Sequence, residues 1–169
     1  MIRISLFILF LFSATPLIAQ GNPIGVVASA HPLATQAGAE ILINGGNAFD
    51  AAIAVSSTLS VVEPFGSGLG GGGFFLIYEA ASDRYSMIDA RERAPLNSTA
   101  DMYLDNLGNP IPRLSIDGAL AAGIPGLPAG LAFLNGNYGM MSFEETLEFA
   151  FKTARDGFIV DEKIGRAHV

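Results

Sequence analysis

The chain has 169 residues, half of them hydrophobic and 15% charged, so it can bury a core and is not disordered by composition. Its formal net charge of -7 argues against a nucleic acid or an anionic membrane surface as a partner. Because the chain contains no cysteine, disulfides, thiolate catalysis and cysteine-ligated metal sites are excluded.

Residues 1–20 predict a secretory signal peptide. Arg3 supplies a positive start, residues 4–12 form an apolar run too short to span a bilayer, and small residues lead to a cleavage site after Ala19. We therefore expect a secreted or periplasmic protein. A buried N-terminal strand or an uncleaved anchor is the alternative.

The next predicted elements are a strand and two helices. Residues 25–29 form a short apolar run with β-branched residues, which predicts a buried strand. A helix is predicted over residues 33–43, because glycines follow it. Asn47 is a suitable N-cap, with Asp50 near the positive end, for a second helix over residues 48–62. This helix is apolar on nearly every side, so we expect it to be buried against a sheet.

The second half predicts a hairpin, a third strand and two more helices. Apolar runs with a polar turn between them predict strands over residues 74–79 and 85–89, and a further strand over residues 119–124. One helix should end near residue 136, and the last, residues 143–155, begins with a Ser-x-x-Glu capping box. This order predicts an α/β or α+β fold, either a doubly wound sheet or a four-layer αββα sandwich.

A glycine-rich segment over residues 66–73 separates the second helix from the hairpin. It contains the spacing Gly-x-Gly-x-x-Gly, but a dinucleotide site requires this motif after a strand and before a helix, whereas here it follows a helix and precedes a strand. No Gly-Lys-Ser/Thr follows, which excludes a P-loop. The segment is therefore either a tightly packed turn or a direct ligand contact.

Arg91 lies at the far end of the predicted hairpin, between Asp89 and Glu92. A guanidinium fixed at a strand end is suited to binding a carboxylate through two parallel hydrogen bonds. The alternative is a surface ion pair with Glu92 or a nearby aspartate, which would contribute little to stability. A neighbouring carboxylate would either hold the guanidinium in place or simply neutralise it. Arg84 and Arg93 are expected to be solvated charges.

Other chemistries find no support in the sequence. The two histidines, His31 and His168, have no partners at metal-ligand spacing, so His31 is expected to be a capping or core residue. There is no Gly-x-Ser-x-Gly motif, and paired carboxylates occur only at cap and turn positions. We therefore expect no metal and no other cofactor.

Several segments, in this order, resemble the N-terminal part of the large subunit of the γ-glutamyltranspeptidases. They are residues 30–34, 45–52, 62–74, 89–95 and 123–126. The resemblance assigns residues 21–164 to that subunit, and the last five residues, 165–169, match nothing in the family. It implies the N-terminal-nucleophile hydrolase fold, an αββα sandwich of which this chain is the N-terminal portion.

The resemblance also implies a reaction. In this family the precursor cleaves itself and frees a threonine, which transfers the γ-glutamyl group of glutathione or another γ-glutamyl compound to water or to an acceptor amino acid or peptide. Arg91 matches the family's arginine that binds the α-carboxylate of the donor. No threonine of this chain lies in a Thr-Thr-His context, so the resemblance places no catalytic residue in this chain. Its partner would be the small subunit of the same precursor, and the chain alone should be inactive.

Two alternatives stay open. The chain is also compatible with an acylase of the same fold that acts on another amide, such as a β-lactam side chain or a poly-γ-glutamate. A non-catalytic binding protein that keeps the first half of the fold is the other. The residues that would discriminate between them belong to the part of the family that this sequence does not match.

Overall fold

The computed structural model describes residues 25–160, and these form four α-helices, one two-stranded sheet and a short 3₁₀ turn. The predicted signal peptide and the 165–169 tail lie outside the described residues. In chain order the elements are α1 (Pro32–Ile43), α2 (Ala48–Val62), β1 (Gly73–Glu79), β2 (Arg84–Ala90), the 3₁₀ turn (Ala119–Ala121), α3 (Leu127–Tyr138) and α4 (Phe143–Asp156). The predicted mixture of helices and strands is confirmed. No helix among residues 25–160 is long and apolar enough to cross a membrane.

Helix α2 is the central element, because it packs against α1, α3 and α4. Its predicted limits are confirmed, and its start is fixed by a reciprocal cap. The Asn47 side chain accepts hydrogen bonds from the backbone N–H groups of Phe49 and Asp50, and the Asp50 carboxylate accepts the N–H of Asn47. Both ends of the cap are satisfied, which defines where the helix begins.

The sheet packs on the helices through one face. Strands β1 and β2 are antiparallel, with Gly73 opposite Ala90 and Leu76 opposite Met87. Ile77 of β1 joins Ile53 of α2 and two leucines of α3 in a buried cluster. Helix α2 is buried as expected, but α1, α4 and α3 cover most of it rather than a sheet, and it meets the sheet through this cluster.

The opposite face of the hairpin is apolar and exposed. Its exposed members are Phe74, Leu76, Tyr78, Tyr85 and Met87. They alternate along the strands with the inward-facing residues, as the period of two in a β-strand requires. Within the described residues nothing covers this face.

Two predicted strands are not formed. Residues 25–29 adopt no strand, and Val27 instead packs close to Gly38 of α1. Residues 119–124 form the 3₁₀ turn and a single bridge between Arg93 and Ile124. Both predictions rested on short apolar runs, and such a run becomes a strand only where a neighbouring strand offers hydrogen bonds. The third helix continues to Tyr138, beyond the predicted end near residue 136.

Candidate functional site

Arg91 follows directly after the last residue of β2. Because Gly73 pairs with Ala90, the register of the hairpin brings the end of the glycine-rich segment beside the start of the arginine segment. The two features that the sequence singled out therefore lie next to each other, although Gly73 and Arg91 are 18 positions apart in the chain. The hairpin is the element that joins them.

The two carboxylates that flank Arg91 have different roles. Glu92 Oε2 lies 3.2 Å from Arg91 Nε, and the side chains of Arg91 and Glu92 are 61% and 33% exposed. Asp89 Oδ1 instead accepts the backbone N–H of Arg91 at 3.0 Å. The exposed ion pair between Arg91 and Glu92 contributes little to stability, as the alternative interpretation expected. Asp89 thus holds the backbone of the arginine, and Glu92 lies beside its guanidinium.

The rest of the guanidinium is available to a ligand. Within residues 25–160 no hydrogen bond is found from Nη1 or Nη2 of Arg91, since the ion pair with Glu92 is made through Nε. The two terminal nitrogens form the planar fork that binds a carboxylate through parallel hydrogen bonds. The ion pair of the alternative interpretation is therefore present, and it leaves the two terminal nitrogens without a hydrogen-bond partner within residues 25–160.

Backbone hydrogen bonds join three segments around Arg91, and we call them the arginine junction: residues 71–72, 90–93 and 124–127. Arg93 and Ile124 exchange two backbone hydrogen bonds, at 3.0 and 2.8 Å. The N–H groups of Gly126 and Leu127 both donate to the carbonyl oxygen of Gly71, each at 3.1 Å. Each segment is therefore hydrogen-bonded to another segment of the chain.

The junction bears on whether the glycine-rich segment is a tightly packed turn or a direct ligand contact. An ideal Cβ atom at Gly72 would lie 2.5 Å from the carbonyl oxygen of Ala90 and 2.8 Å from Arg91 Cα. At least this part of the segment is a tightly packed turn against the arginine backbone. The sequence analysis did not predict the close approach of Gly126 to the same backbone. No local sequence signal indicates which strand end the turn containing Gly126 will contact.

A cavity of about 590 Å³ adjoins Arg91. Arg91, Arg93 and Asp89 contribute its charged lining, and Ala129 and Phe133 of α3 contribute apolar surface. A cavity with apolar walls and a guanidinium suits a small carboxylate ligand. None of the threonines within the described residues lines it.

The remaining sequence-predicted residues lie away from this cavity. His31 caps α1, with Nδ1 accepting the N–H of Leu33 at 3.2 Å, which is the capping role expected for it. Arg84, at the other end of β2, pairs with Glu79 at 2.7 Å and is exposed, as expected. Arg93 is exposed as well, but it lines the cavity and takes part in the junction. Within residues 25–160 no three histidine or acidic side chains are grouped as metal ligands would be.

Comparison with known proteins places these features in a family. A family model described as gamma-glutamyltranspeptidase matches residues 34–168. The glutathione hydrolase proenzyme of Escherichia coli is 46% identical over 140 residues, which are 83% of this chain and 24% of that protein. The corresponding proenzyme of Bacillus subtilis is 42% identical over 144 residues, 85% of this chain and 24% of that protein. The chain spans about a quarter of the length of these curated relatives.

Solved structures agree with the sequence comparison. The γ-glutamyltranspeptidase of Helicobacter pylori has a TM-score of 0.82 and 39% identity, covering 88% of this chain and 42% of that one. A cephalosporin acylase from Bacillus halodurans has a TM-score of 0.71 and 29% identity, covering 94% of this chain and 30% of that one. The α+β elements of this chain are thus those of γ-glutamyltranspeptidase structures. The chain belongs to the γ-glutamyltranspeptidase family.

Proposed function

We propose that the complete protein containing this chain is a γ-glutamyltransferase and glutathione hydrolase, and that Arg91 binds the α-carboxylate of the γ-glutamyl donor. The family match and the glutathione hydrolases among the relatives support the activity. The observation that carries the role of Arg91 is its guanidinium, which pairs with Glu92 through Nε while its terminal nitrogens have no hydrogen-bond partner within residues 25–160.

The proposed reaction divides the work between two parts of one precursor. A threonine outside this chain, freed by self-cleavage, would attack the γ-amide carbon of the donor and release its amine. Water or the amine of an acceptor amino acid or peptide would then take the γ-glutamyl group from the threonine. This chain, residues 21–164 after loss of a signal peptide, would supply donor binding in a secreted or periplasmic enzyme.

The chemistry of Arg91 explains why arginine is required at this position. The α-carboxylate of the donor lies at the opposite end of the glutamyl group from the bond that breaks. A bidentate guanidinium contact fixes both the position and the rotation of that end, whereas a lysine ammonium fixes only its position. Glu92 leaves this fork free because it pairs with Nε.

The test is the Arg91→Lys variant in the complete precursor. We expect Arg91→Lys to lower kcat/KM for glutathione by the equivalent of about 2–5 kcal/mol of transition-state stabilisation, the scale for a broken buried charge pair. Arg84→Lys is a matched control that should leave both kinetic constants unchanged, because Arg84 lies at the other end of β2 and its side chain is as exposed as that of Arg91. Unchanged KM and kcat in Arg91→Lys would overturn the proposed role.

A second candidate is an acylase that cleaves a different amide. The similarity to the cephalosporin acylase of Bacillus halodurans favours it. The two candidates are separated by offering the complete protein a γ-glutamyl anilide and a cephalosporin amide in parallel. Hydrolysis of the cephalosporin alone would support the acylase and contradict our proposal.

A further inference from the structure

We infer that Gly72 and Gly126 are positioning residues for donor binding, because they fix the backbone path of Ala90 and Arg91 and so direct the Arg91 guanidinium. The inference rests on the proposed role of Arg91. Glycine has no side chain with which to bind a donor, so the role inferred for both residues is to position the arginine.

The contact at Gly72 is made with main-chain atoms. A methyl group there would lie 2.5 Å from the carbonyl oxygen of Ala90, 2.8 Å from Arg91 Cα and 2.8 Å from the backbone nitrogen of Glu92. Real Cβ atoms essentially never approach other atoms within 3.0 Å. A side-chain neighbour would rotate away, but a backbone neighbour must shift with its whole segment.

The contact at Gly126 involves the same peptide from another loop. A methyl group there would overlap the carbonyl oxygens of Arg91 and Ala90, and it would lie 2.8 Å from the carbonyl carbon of Ala90. Two glycines from separate parts of the chain thus touch the single peptide unit that precedes and orients Arg91. This packing requires that neither residue carry a Cβ atom.

The junction gives neither loop room to retreat. The N–H of Gly126 is bonded to the carbonyl oxygen of Gly71, the neighbour of Gly72, at 3.1 Å. Moving one loop away from Ala90 would therefore pull on the other. An added methyl group should instead displace the backbone of Arg91, and a displacement of about 1 Å can reduce catalysis by about a hundredfold.

The chain offers a graded series of glycine-to-alanine variants for the test. An added Cβ at Gly73 would have no neighbour within 4 Å, and at Gly123 it would lie 3.2 Å from Glu92 Cβ. At Gly72 and Gly126 it would clash with the backbone atoms described above. Gly73 is the matched control, because it adjoins Gly72 in the sequence. Gly136 in α3, also with nothing within 4 Å, controls for an alanine placed elsewhere.

The experiment compares two donors in the complete precursor: γ-glutamyl-p-nitroanilide and 4-aminobutyryl-p-nitroanilide, which lacks the α-carboxylate. We expect Gly72→Ala and Gly126→Ala to lower kcat/KM for the first donor about 10- to 100-fold, while kcat/KM for the second donor changes little. Gly123→Ala should give an intermediate loss, and Gly73→Ala and Gly136→Ala none. In the double variant Gly126→Ala/Arg91→Lys the effects should be strongly non-additive, because both act on one contact.

The outcomes separate the two claims. If Arg91→Lys itself does not reduce discrimination between the donors, the proposed function of Arg91 fails. If Arg91→Lys reduces it but Gly72→Ala and Gly126→Ala behave like Gly73→Ala, the positioning role is overturned and the function of Arg91 stands. Equal losses with both donors would show that the glycines are structural only. Should Gly126→Ala fail to fold, the Gly72→Ala variant still decides the question.

Discussion

The carboxylate of Asp50 accepts the backbone N–H of Met140 at 3.0 and 3.2 Å, although the two residues are 90 positions apart in the chain. Asp50 is fully buried, and it also accepts the N–H of Asn47 at 3.0 Å. Asn47 in turn donates its side-chain amide to the carbonyl oxygen of Tyr138 at 2.7 Å. The cap of α2 therefore also holds the connection between α3 and α4.

Asp50→Ala should destabilise the protein by about 2–3 kcal/mol, because it removes half of a reciprocal cap and leaves the Met140 N–H without its acceptor. Hydrogen exchange gives a local readout, and the Met140 amide should lose its protection. Glu144→Ala is the control, since it removes an acidic residue from the first turn of α4 that is exposed. Full protection of Met140 in Asp50→Ala would show that the carboxylate does not hold the connection.

Thr58 and Thr146 are both fully buried in helices but differ in their hydroxyl groups. Thr146 Oγ1 donates to the carbonyl oxygen of Phe143 at 2.7 Å, whereas Thr58 Oγ1 has no hydrogen-bond partner among residues 25–160. Valine matches threonine in shape and in helix propensity, so the exchange isolates the hydroxyl group. We expect Thr58→Val to stabilise the protein by about 1 kcal/mol and Thr146→Val to destabilise it by about the same amount.

Thermal unfolding of the two purified threonine variants checks this prediction, because the melting temperature should rise in one and fall in the other. The pair serves as its own control, since both exchanges remove the same group from the same kind of element. A fall of similar size in both variants would mean that the Thr58 hydroxyl has a stabilising partner.

The start of α4 should depend on pH. The Ser142 hydroxyl, which donates to Glu145 Oε2 at 2.7 Å, and the Ser142 N–H hold the pKa of Glu145 below its ordinary value of 4.5. Because the folded pKa is lowered, the contribution of Glu145 to stability is present above that ordinary value and is lost as the pH falls through the folded pKa. The protection factors of amides in the first turn of α4, which correct exchange for its intrinsic rate at each pH, should therefore fall in acid.

Glu145→Gln provides the comparison for the pH experiment. Its first turn should exchange faster than wild type at neutral pH, and most of its acid dependence should disappear, because glutamine does not titrate. Glu144→Gln, one residue earlier, should keep the acid dependence, since Glu144 does not take part in the cap. An identical pH profile in wild type and Glu145→Gln would contradict the assignment.

The local signals in the sequence determined most of the secondary structure. Asn47 with Asp50 and Ser142 with Glu145 defined two helix starts, because a capping box is satisfied by residues three positions apart. The hairpin followed from two apolar runs joined by a polar turn, and its limits moved by one residue at the ends that differed. Arg91 was identified for the same reason, since its place at a strand end depends on that hairpin alone.

Tertiary structure decided what depends on distant partners. Residues 25–29 and 119–124 have strand-like composition, but no strand within the described residues pairs with them beyond one bridge at Ile124. The contact of Gly126 with the Arg91 backbone and that of Asp50 with Met140 join loops whose meeting depends on how the helices pack on the sheet. Sequence patterns report periodicity and caps over a few residues, whereas these contacts are set by the packing of whole elements.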